Sequence, residues 1–428
     1  MLPKAHTIPL TFPDSLFTSV SAVCVTGLVV VNTATAFTPL GKIIILCLIQ
    51  IGGLGIMTFT GFFSFIFTSS SSFRDRLLLK EIFSSQSLNN LFKLLTKIIL
   101  WTFLIEITGA ILIYSSLDLD SSNKVLFSIF HAVSAFCNAG FSTLSDGLFS
   151  AGIRHNYSIQ ITVALLVILG GIGFPVLLNA YSYLKQFIIV LIRKVQLRRI
   201  PVIHTQMNIS GRVVVFMTLF LIVAGTGLYY LFESENSLSG MDNTQKFIIS
   251  FFGSVSSRTA GFHITDISLW GYPTVFLMIF LMWIGASPGS TGGGIKTTTF
   301  GIALRSAYNS IKGRQHLIIG NREIGSGTII RVLAIIFLSI LIITSGFFCL
   351  LLSEPGKNPV HLLFECVSAF STVGLSLADT SSFSQTGKIV VILLMFIGRV
   401  GPLTLLTGFL LSYHKKYSRY PEIDIIIN

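Results

Sequence analysis

One short pattern of residues recurs four times along the chain, and each copy is followed by a glycine. The string Phe-x-x-Val-Ser occupies residues 17–21, 130–134, 252–256 and 364–368. The glycine comes six residues after the serine in three copies and five residues after it in the third, and a large apolar residue follows. Four matches in register indicate an internal repeat, which has to be recognised before the fold is interpreted.

These repeats suggest ion binding by backbone groups. Carbonyl groups that line a pore can replace the water shell of an ion. Glycine tolerates the dihedral angles that such a lining needs and lets the backbone approach the ion closely. If four loops meet around one axis, they are predicted to form a cation filter from Val25, Thr26, Gly27, Asn138, Ala139, Gly140, Thr259, Ala260, Gly261, Thr372, Val373 and Gly374.

A second glycine-rich string, 285–294, holds five glycines and Pro288 in the middle of a long apolar run. It is not a phosphate-binding loop, because Ile295 separates Gly294 from Lys296 and that motif needs glycine and lysine to be adjacent. Proline and glycine at this density cannot remain helical. The string therefore predicts an unwound stretch inside the run.

Three charged residues lie in apolar surroundings. Arg399 either reaches an interface or faces a wet cavity, where its charge would raise the barrier for cations. Glu106 could couple transport to protons or sodium, but a hydrogen bond that holds neighbouring helices together is the favoured interpretation. Glu365 either steadies its short helix or attracts cations near a pore mouth, and the sequence does not separate these roles.

The elements that must position these residues are apolar. Of the 428 residues, 52% are hydrophobic and 11% are charged, whereas soluble domains have about a quarter charged residues. The mean hydropathy is +0.80. This composition predicts an all-α integral membrane protein and excludes soluble, secreted and disordered classes. The eight histidines form no ligand cluster, so the sequence does not indicate a metal enzyme.

Apolar segments of two lengths alternate along the chain. Seven runs can span a bilayer, near 40–67, 92–115, 158–190, 209–232, 272–304, 327–352 and 387–413. Four shorter segments, near 14–26, 124–137, 244–257 and 360–371, are predicted to be re-entrant helices. The repeat unit is therefore helix, re-entrant pore helix, filter loop, helix, and four such pseudo-repeats are expected around a central pore. The predicted boundaries are 1–70, 71–190, 191–310 and 311–428.

The basic residues indicate the topology. The net charge is +12, which would suggest a nucleic-acid partner in a soluble protein. Here most lysines and arginines lie in three connections, 73–97, 191–212 and 305–331, and in the tail. The positive-inside rule places these segments and the C-terminus in the cytoplasm, so that the short helices enter from outside and no nucleic-acid partner is predicted.

At these residues the sequence resembles the Trk/Ktr/HKT superfamily of potassium transporters, over residues 14–428. The four loop glycines, the string 285–298 and Arg399 match the superfamily pattern. Residues 372–375, Thr-Val-Gly-Leu, also resemble half of the Thr-Val-Gly-Tyr-Gly filter of potassium channels. The tail 420–428 is similar to the KtrB-type membrane subunit.

The resemblance implies function and partners. It implies potassium uptake through a four-glycine filter, with no covalently bound cofactor and with sodium dependence left open. Gly27 favours potassium, since sodium-preferring members carry serine there. It implies a homodimer in the cell membrane and a separate cytosolic ring subunit that binds nucleotides. It also implies an intramembrane gate made of Gly285, Ala286, Ser287, Pro288, Gly289, Ser290, Thr291, Gly292, Gly293, Gly294, Lys296 and Arg399.

One departure from the superfamily concerns the first repeat. Members of the family begin with an outer membrane helix, whereas this sequence reaches its first short segment by about residue 14. The first outer helix is therefore expected to be absent from this chain, either because the recorded start lies too far downstream, which is favoured, or because the protein works without it. An open groove beside the first short helix is expected.

Two other classes of function compete with a potassium pore. A membrane subunit of a sodium-translocating ATPase would need a carboxylate in mid-membrane, for which only Glu106 qualifies, and the fourfold pattern would have no explanation. A sodium-coupled carrier with alternating access usually shows inverted repeats, whereas these four repeats are predicted to be parallel.

Overall fold

The computed structural model describes residues 3–55, 88–117, 124–195, 208–314, 316–320 and 322–402, and these are mostly helical. One short hairpin pairs β1 (Ile318–Ile319) with β2 (Arg322–Glu323) in antiparallel register. The all-α prediction is confirmed. The main helices are α1 (Phe12–Val23), α2 (Pro39–Leu54), α3 (Leu88–Ser115), α4 (Lys124–Phe136), α5 (Tyr157–Ile172), α6 (Phe174–Val195), α7 (Ile209–Glu233), α8 (Asn243–Ser256), α9 (Tyr272–Trp283), α10 (Thr297–Ile311), α11 (Ser326–Ser353), α12 (Pro359–Phe370) and α13 (Gln385–Val400).

The four short segments expected from the sequence form α1, α4, α8 and α12. Each has between 12 and 14 residues, which is too few to cross a bilayer. Three of them begin at a side-chain cap: the side chains of Thr11, Asp242 and Asn358 accept from backbone N–H groups of the first turn. The buried phenylalanine of each Phe-x-x-Val-Ser copy anchors the helix in the core.

The long apolar runs differ from the seven continuous spans that the sequence suggests. In the described part of the chain, three continuous helices have the length and hydropathy of a membrane span: Leu95–Ser115 within α3, then α7, then α11. The other four runs are broken. The run 158–190 bends by 101° between α5 and α6, and residues 284–296 separate α9 from α10. Helices α2 and α13 end inside their predicted runs.

The breaks follow from glycines in a left-handed conformation. Helices α2, α5 and α13 end at Gly55, Gly173 and Gly401, whose φ angles are 84°, 96° and 91°. A residue with positive φ cannot continue a right-handed helix, and glycine adopts positive φ without steric cost. Pro175 and Pro402, which follow shortly after two of these glycines, lack the N–H that would continue a helix.

The helices of the four repeats pack in a closed order. The helix after each loop packs against the short helix of the next repeat, in the pairs α2 with α4, α5 with α8, α9 with α12 and α13 with α1. Each long helix α3, α7 and α11 packs on the short helix that follows it. This cyclic order brings all four loops to one axis. The predicted boundary at 70/71, the basic residues Arg74, Arg76 and Lys80, and the tail 403–428 lie outside the described residues.

Apolar side chains near the start of the first repeat are exposed. Phe12 is 79% exposed, and Leu16, Leu40 and Ile43 are also exposed. Apolar side chains of the long helices α3, α7 and α11 are exposed to a similar degree, so the open groove expected beside α1 stays a prediction.

An ion pair joins the fourth repeat to the first. Lys388 in α13 lies 2.7 Å from Asp14 in α1, and both side chains are largely buried. The other ion pair in the described ranges, His316 with Glu323, is exposed on the β-hairpin. We expect Lys388→Gln to lower the free energy of unfolding by about 1–3 kcal/mol, because it leaves Asp14 unpaired in a shielded place. Glu323→Gln is the matched control and should change nothing measurable.

The measurement is thermal unfolding of the purified protein in detergent. Equal midpoints for Lys388→Gln and Glu323→Gln would show that the buried pair does not stabilise the contact between the fourth and first repeats.

Candidate functional site

The four repeat glycines meet in a closed ring. A Cβ atom on Gly27 would lie closer than 3.0 Å to the carbonyl oxygen of Ala139, in the second loop. The same relation links each remaining glycine to the carbonyl of the middle residue of the next loop, in the order Gly140 to Ala260, Gly261 to Val373, and Gly374 to Thr26. Each glycine thus faces a neighbouring carbonyl at a distance that no side chain permits. Gly140 and Gly374 lie diagonally opposite one another.

The loops share one unusual backbone conformation. Their first residues, Val25, Asn138, Thr259 and Thr372, have φ between 51° and 74°, and the four glycines have φ between 70° and 94°. Positive φ is unfavourable for β-branched residues and is kept only where the surroundings impose it. Alternating positive and negative φ points successive carbonyl groups to one side of the chain. The side chains of the first and middle residues are fully buried, which leaves the backbone to face the axis.

The repeated serine fastens each loop to its short helix. The hydroxyls of Ser21 and Ser134 donate to the carbonyls of Leu28 and Phe141 at 2.7 and 2.8 Å. Ser256 donates in the same way to the carbonyl of Phe262. The third loop is one residue shorter, and its serine still reaches the residue directly after the glycine. In the fourth loop the Ser368 hydroxyl instead accepts from the N–H of Gly374 at 3.1 Å. This role explains why the sequence repeats a serine there.

A cavity of about 640 Å³ opens on the glycine side of the ring, and we call it the mouth cavity. All four glycines line it, together with Asp146, Asp266 and Asp379. The Ser268 hydroxyl and N–H donate to Asp266 and hold the pKa of its carboxyl below the ordinary value, so it is charged at neutral pH. Carboxylates around a concave opening raise the local concentration of cations.

The opposite side of the ring is covered by the loop 284–296. The N–H of Gly293 donates to the Thr372 hydroxyl at 3.0 Å, and a Cβ atom on Gly292 would clash with the Thr259 hydroxyl. The loop also bonds to the backbone at the bend between α5 and α6. There the N–H of Ser287 donates to the carbonyl of Gly171, and the N–H of Phe174 donates to the carbonyl of Gly289. The stretch that the sequence predicts to be unwound is non-helical in the structure, and it lies directly against the third and fourth loops.

Arg399 lies in the last turn of α13 and forms hydrogen bonds with the third and first repeats. Its guanidinium donates to the carbonyl of Thr291 in the loop 284–296 and to the carbonyl of Gly52 at the end of α2. The sequence places this residue inside a long run, whereas the helix ends one residue later, at Val400. A cation in the last helical turn is favourable. Lys296 folds back on its own loop, with Nζ 2.7 Å from the carbonyl of Gly292.

Glycines after each loop allow close packing behind it. A Cβ atom on Gly52, Gly170 or Gly398 would collide with a carbonyl near the end of the short helix of its own repeat. The glycine clusters therefore serve both tight packing, as expected, and the helix breaks that follow them.

Glu106 in α3 is buried and bonded within the protein. Its carboxylate accepts from Gln50 of α2 at 3.1 Å and lies 3.8 Å from the thiol of Cys137, directly before the second loop. This arrangement agrees with the interpretation that Glu106 joins neighbouring helices.

The sequence interpretation missed two sets of residues that support the site. One is the set of mouth-cavity aspartates, which follow their glycines by five or six residues, as Asn32 follows Gly27. The other is a pair of glutamates at the ends of long helices: Glu233 accepts from the N–H of Gly271, and Glu354 accepts from the N–H of Ser384. Extending the repeat alignment beyond the glycine would have revealed the aspartates. The glutamates precede their short helices at different distances, so only their contacts in the structure reveal them.

Comparison with known proteins places the chain among transporters. Residues 1–419 match the family described as TrkH, cation transport protein. The chain is 34% identical to the Ktr system potassium uptake protein B of Vibrio alginolyticus, over 99% of this chain and 90% of that protein. It is also 34% identical to the potassium/sodium uptake protein NtpJ of Enterococcus hirae, over 97% of this chain and 90% of that protein.

The fold agrees with a solved structure. The crystal structure of the potassium transporter TrkH from Vibrio parahaemolyticus matches 95% of this chain and 80% of its own chain, with a TM-score of 0.73 and 17% sequence identity. This likeness supports the fold, whereas the sequence matches over nearly the whole chain establish the family. The chain therefore belongs to the TrkH family of cation transport proteins, and it is a membrane transporter and not an enzyme.

Proposed function

We propose that the chain takes up potassium across the cell membrane through the ring of four glycine loops. The observation that carries this proposal is the closed ring, in which every glycine faces the carbonyl of the next loop. A ring of backbone carbonyls suits a dehydrated cation. Each loop follows the C-terminal end of a short helix, whose partial negative charge favours cations. The filter consists of residues 25–27, 138–140, 259–261 and 372–374.

We further propose that the loop 284–296 and Arg399 form a gate. The loop contacts the filter on the side away from the mouth cavity, and Arg399 holds it to α2. Non-helical backbone at membrane depth is tolerated where it lines a cavity or is covered by protein. Glycine-rich backbone can move without repacking a core, so a change at this loop can open the path.

The partners follow from the family resemblance. We propose a homodimer that is regulated by a separate cytosolic ring subunit binding nucleotides. The basic segment around the β-hairpin is the expected docking surface on this chain, since Arg305, Lys312, Arg314 and Arg322 are exposed there. An acidic partner surface would complement it.

Sodium enters the proposal as a second ion, either transported or required. A relative named for potassium and sodium uptake supports testing both. The ATPase-subunit and coupled-carrier alternatives gain no support from Glu106, because its carboxylate is buried and bonded to Gln50.

The decisive experiment is cation flux into liposomes that contain the purified chain. Potassium and rubidium are expected to enter much faster than sodium, and the potassium rate with and without sodium tests coupling. Equal rates for potassium and sodium, or flux only with ATP hydrolysis by an added enzyme, would contradict the proposal.

A further inference from the structure

Two diagonally opposed loops share a polar feature in the described structure. The residue two places after the glycine is serine in the second and fourth loops, Ser142 and Ser376, and both serines line the mouth cavity. Each faces a titratable side chain on its own short helix, directly after the phenylalanine of the repeat. These side chains are His131 in α4 and Glu365 in α12, and both are fully buried.

In the second repeat the feature is a continuous chain of hydrogen bonds. His131 Nε2 lies 2.9 Å from the Ser142 hydroxyl, and Nδ1 lies 2.9 Å from the Phe127 carbonyl. The Ser142 oxygen accepts from the N–H of Leu144 at 3.1 Å. One assignment satisfies every group: Nδ1–H donates to Phe127, and the Ser142 hydroxyl donates to Nε2. A neutral histidine thus fixes the outer end of the second loop to its helix.

In the fourth repeat the corresponding groups face each other. The carboxyl of Glu365 lies near the Ser376 hydroxyl and near the N–H groups of Leu377 and Ala378. Neither carboxyl oxygen has a hydrogen bond of ordinary geometry, and the Ser376 hydroxyl has none either. Buried polar groups without partners are unfavourable, so a small movement that closes these bonds is stabilising.

The first and third repeats lack this link. Thr18 occupies the place of His131 in α1, and its hydroxyl donates to the backbone carbonyl of Asp14 in the same helix at 2.9 Å. Gly253 occupies the place in α8, where no side chain exists. The second loop therefore has a formed hydrogen bond of this kind, and the opposite fourth loop carries the groups for another.

We propose that His131 and Glu365 are positioning residues that hold the second and fourth loops through Ser142 and Ser376, and thereby set the cation preference. This inference rests on the proposed function. Loss of either link frees the loop just outside its glycine. Because the glycines of all four loops lie against neighbouring carbonyls, movement of one loop loosens the ring fitted to the larger ion.

The test compares potassium and sodium flux into liposomes for a set of variants. Ser142→Ala and His131→Phe are each expected to lower the potassium-to-sodium ratio about fivefold, the size expected for one net hydrogen bond. Ser376→Ala and Glu365→Leu should lower the ratio in the same direction. Glu365→Gln keeps the hydrogen-bonding groups and should stay close to wild type. Thr18→Val is the matched control and should not change the ratio.

A double variant separates positioning from general damage. Ser142→Ala with His131→Phe should shift the ratio no further than either single change, since both remove the same bond. Wild-type ratios for Ser142→Ala and Ser376→Ala, in protein that still conducts potassium, would overturn the inference. A wild-type chain without potassium preference would instead contradict the proposed function.

Discussion

Replacing Gly27 with serine is expected to lower the potassium-to-sodium flux ratio by about tenfold or more, which corresponds to about 1.4 kcal/mol of lost discrimination. Gly27 has φ of 88°, which an ordinary side chain rarely adopts, and its Cβ would collide with the Ala139 carbonyl. The loop must therefore shift, and the carbonyl ring widens or loses its match to a dehydrated potassium ion. The first loop touches both neighbours, so the change spreads to the second and fourth loops.

A control glycine separates the effect of the clash in the ring from the effect of placing a side chain at positive φ. Gly240 also has positive φ, 78°, but no atom lies within 4 Å of its added Cβ. Gly240→Ser should therefore cost some stability without changing the flux ratio. The measurement is paired potassium and sodium flux in liposomes, with protein amount and thermal midpoint determined for each variant. An unchanged ratio in Gly27→Ser would remove Gly27 from the filter.

The sequence predicted the loops because their signal is local and repeated. A short helix, a serine, a glycine and an apolar residue recur within about ten positions, and each follows from the backbone needs of one loop. The serine was found by recurrence alone, and only the structure gives it a partner, the carbonyl directly after the glycine in three of the loops. The proposed roles of these loops in selectivity stay predictions until flux is measured.

The remaining features depend on contacts between distant parts of the chain. Arg399 reaches Gly52, 347 residues away, and no local pattern encodes this contact. The bend between α5 and α6 was hidden in a run that is apolar on both sides of the bend, although Gly173 and Pro175 mark it in retrospect. Hydropathy reports that a segment can lie in a membrane, whereas the path of the backbone depends on helix breaks.

Arg399→Gln is expected to raise potassium flux in the absence of any regulator by about tenfold, since removing about 1.4 kcal/mol from a barrier gives that change in rate. A unit charge about 4 Å from an ion repels it by about 4 kcal/mol at an effective dielectric constant of about 20. The substitution removes this charge and weakens the bonds to Thr291 and Gly52. The potassium-to-sodium ratio should stay at the wild-type value, because the two carbonyls that Arg399 binds belong to the loop 284–296 and to α2, and not to the four filter loops.

Arg399→Lys distinguishes the effect of the positive charge from the effect of the tether, by which we mean the two hydrogen bonds that join the loop 284–296 to α2. Lysine keeps the positive charge, but its single ammonium group cannot reproduce the planar fork that reaches two carbonyls. If repulsion dominates, this variant conducts like wild type. If the tether dominates, it conducts like Arg399→Gln.

Deleting several residues from 286–293 should have the largest effect on gating. The deletion removes the segment that lies against Thr259 and Thr372, and it also removes the carbonyl of Thr291 to which Arg399 donates. Flux should rise at least as much as in Arg399→Gln, and its dependence on a cytosolic regulator should weaken, because a regulator that acts through this loop would lose its target. Combining the deletion with Arg399→Gln tests whether the two act together. A combined increase equal to that of the deletion alone means that Arg399 works through the loop, whereas wild-type flux in both single variants would leave 284–296 as a helix break without a gating role.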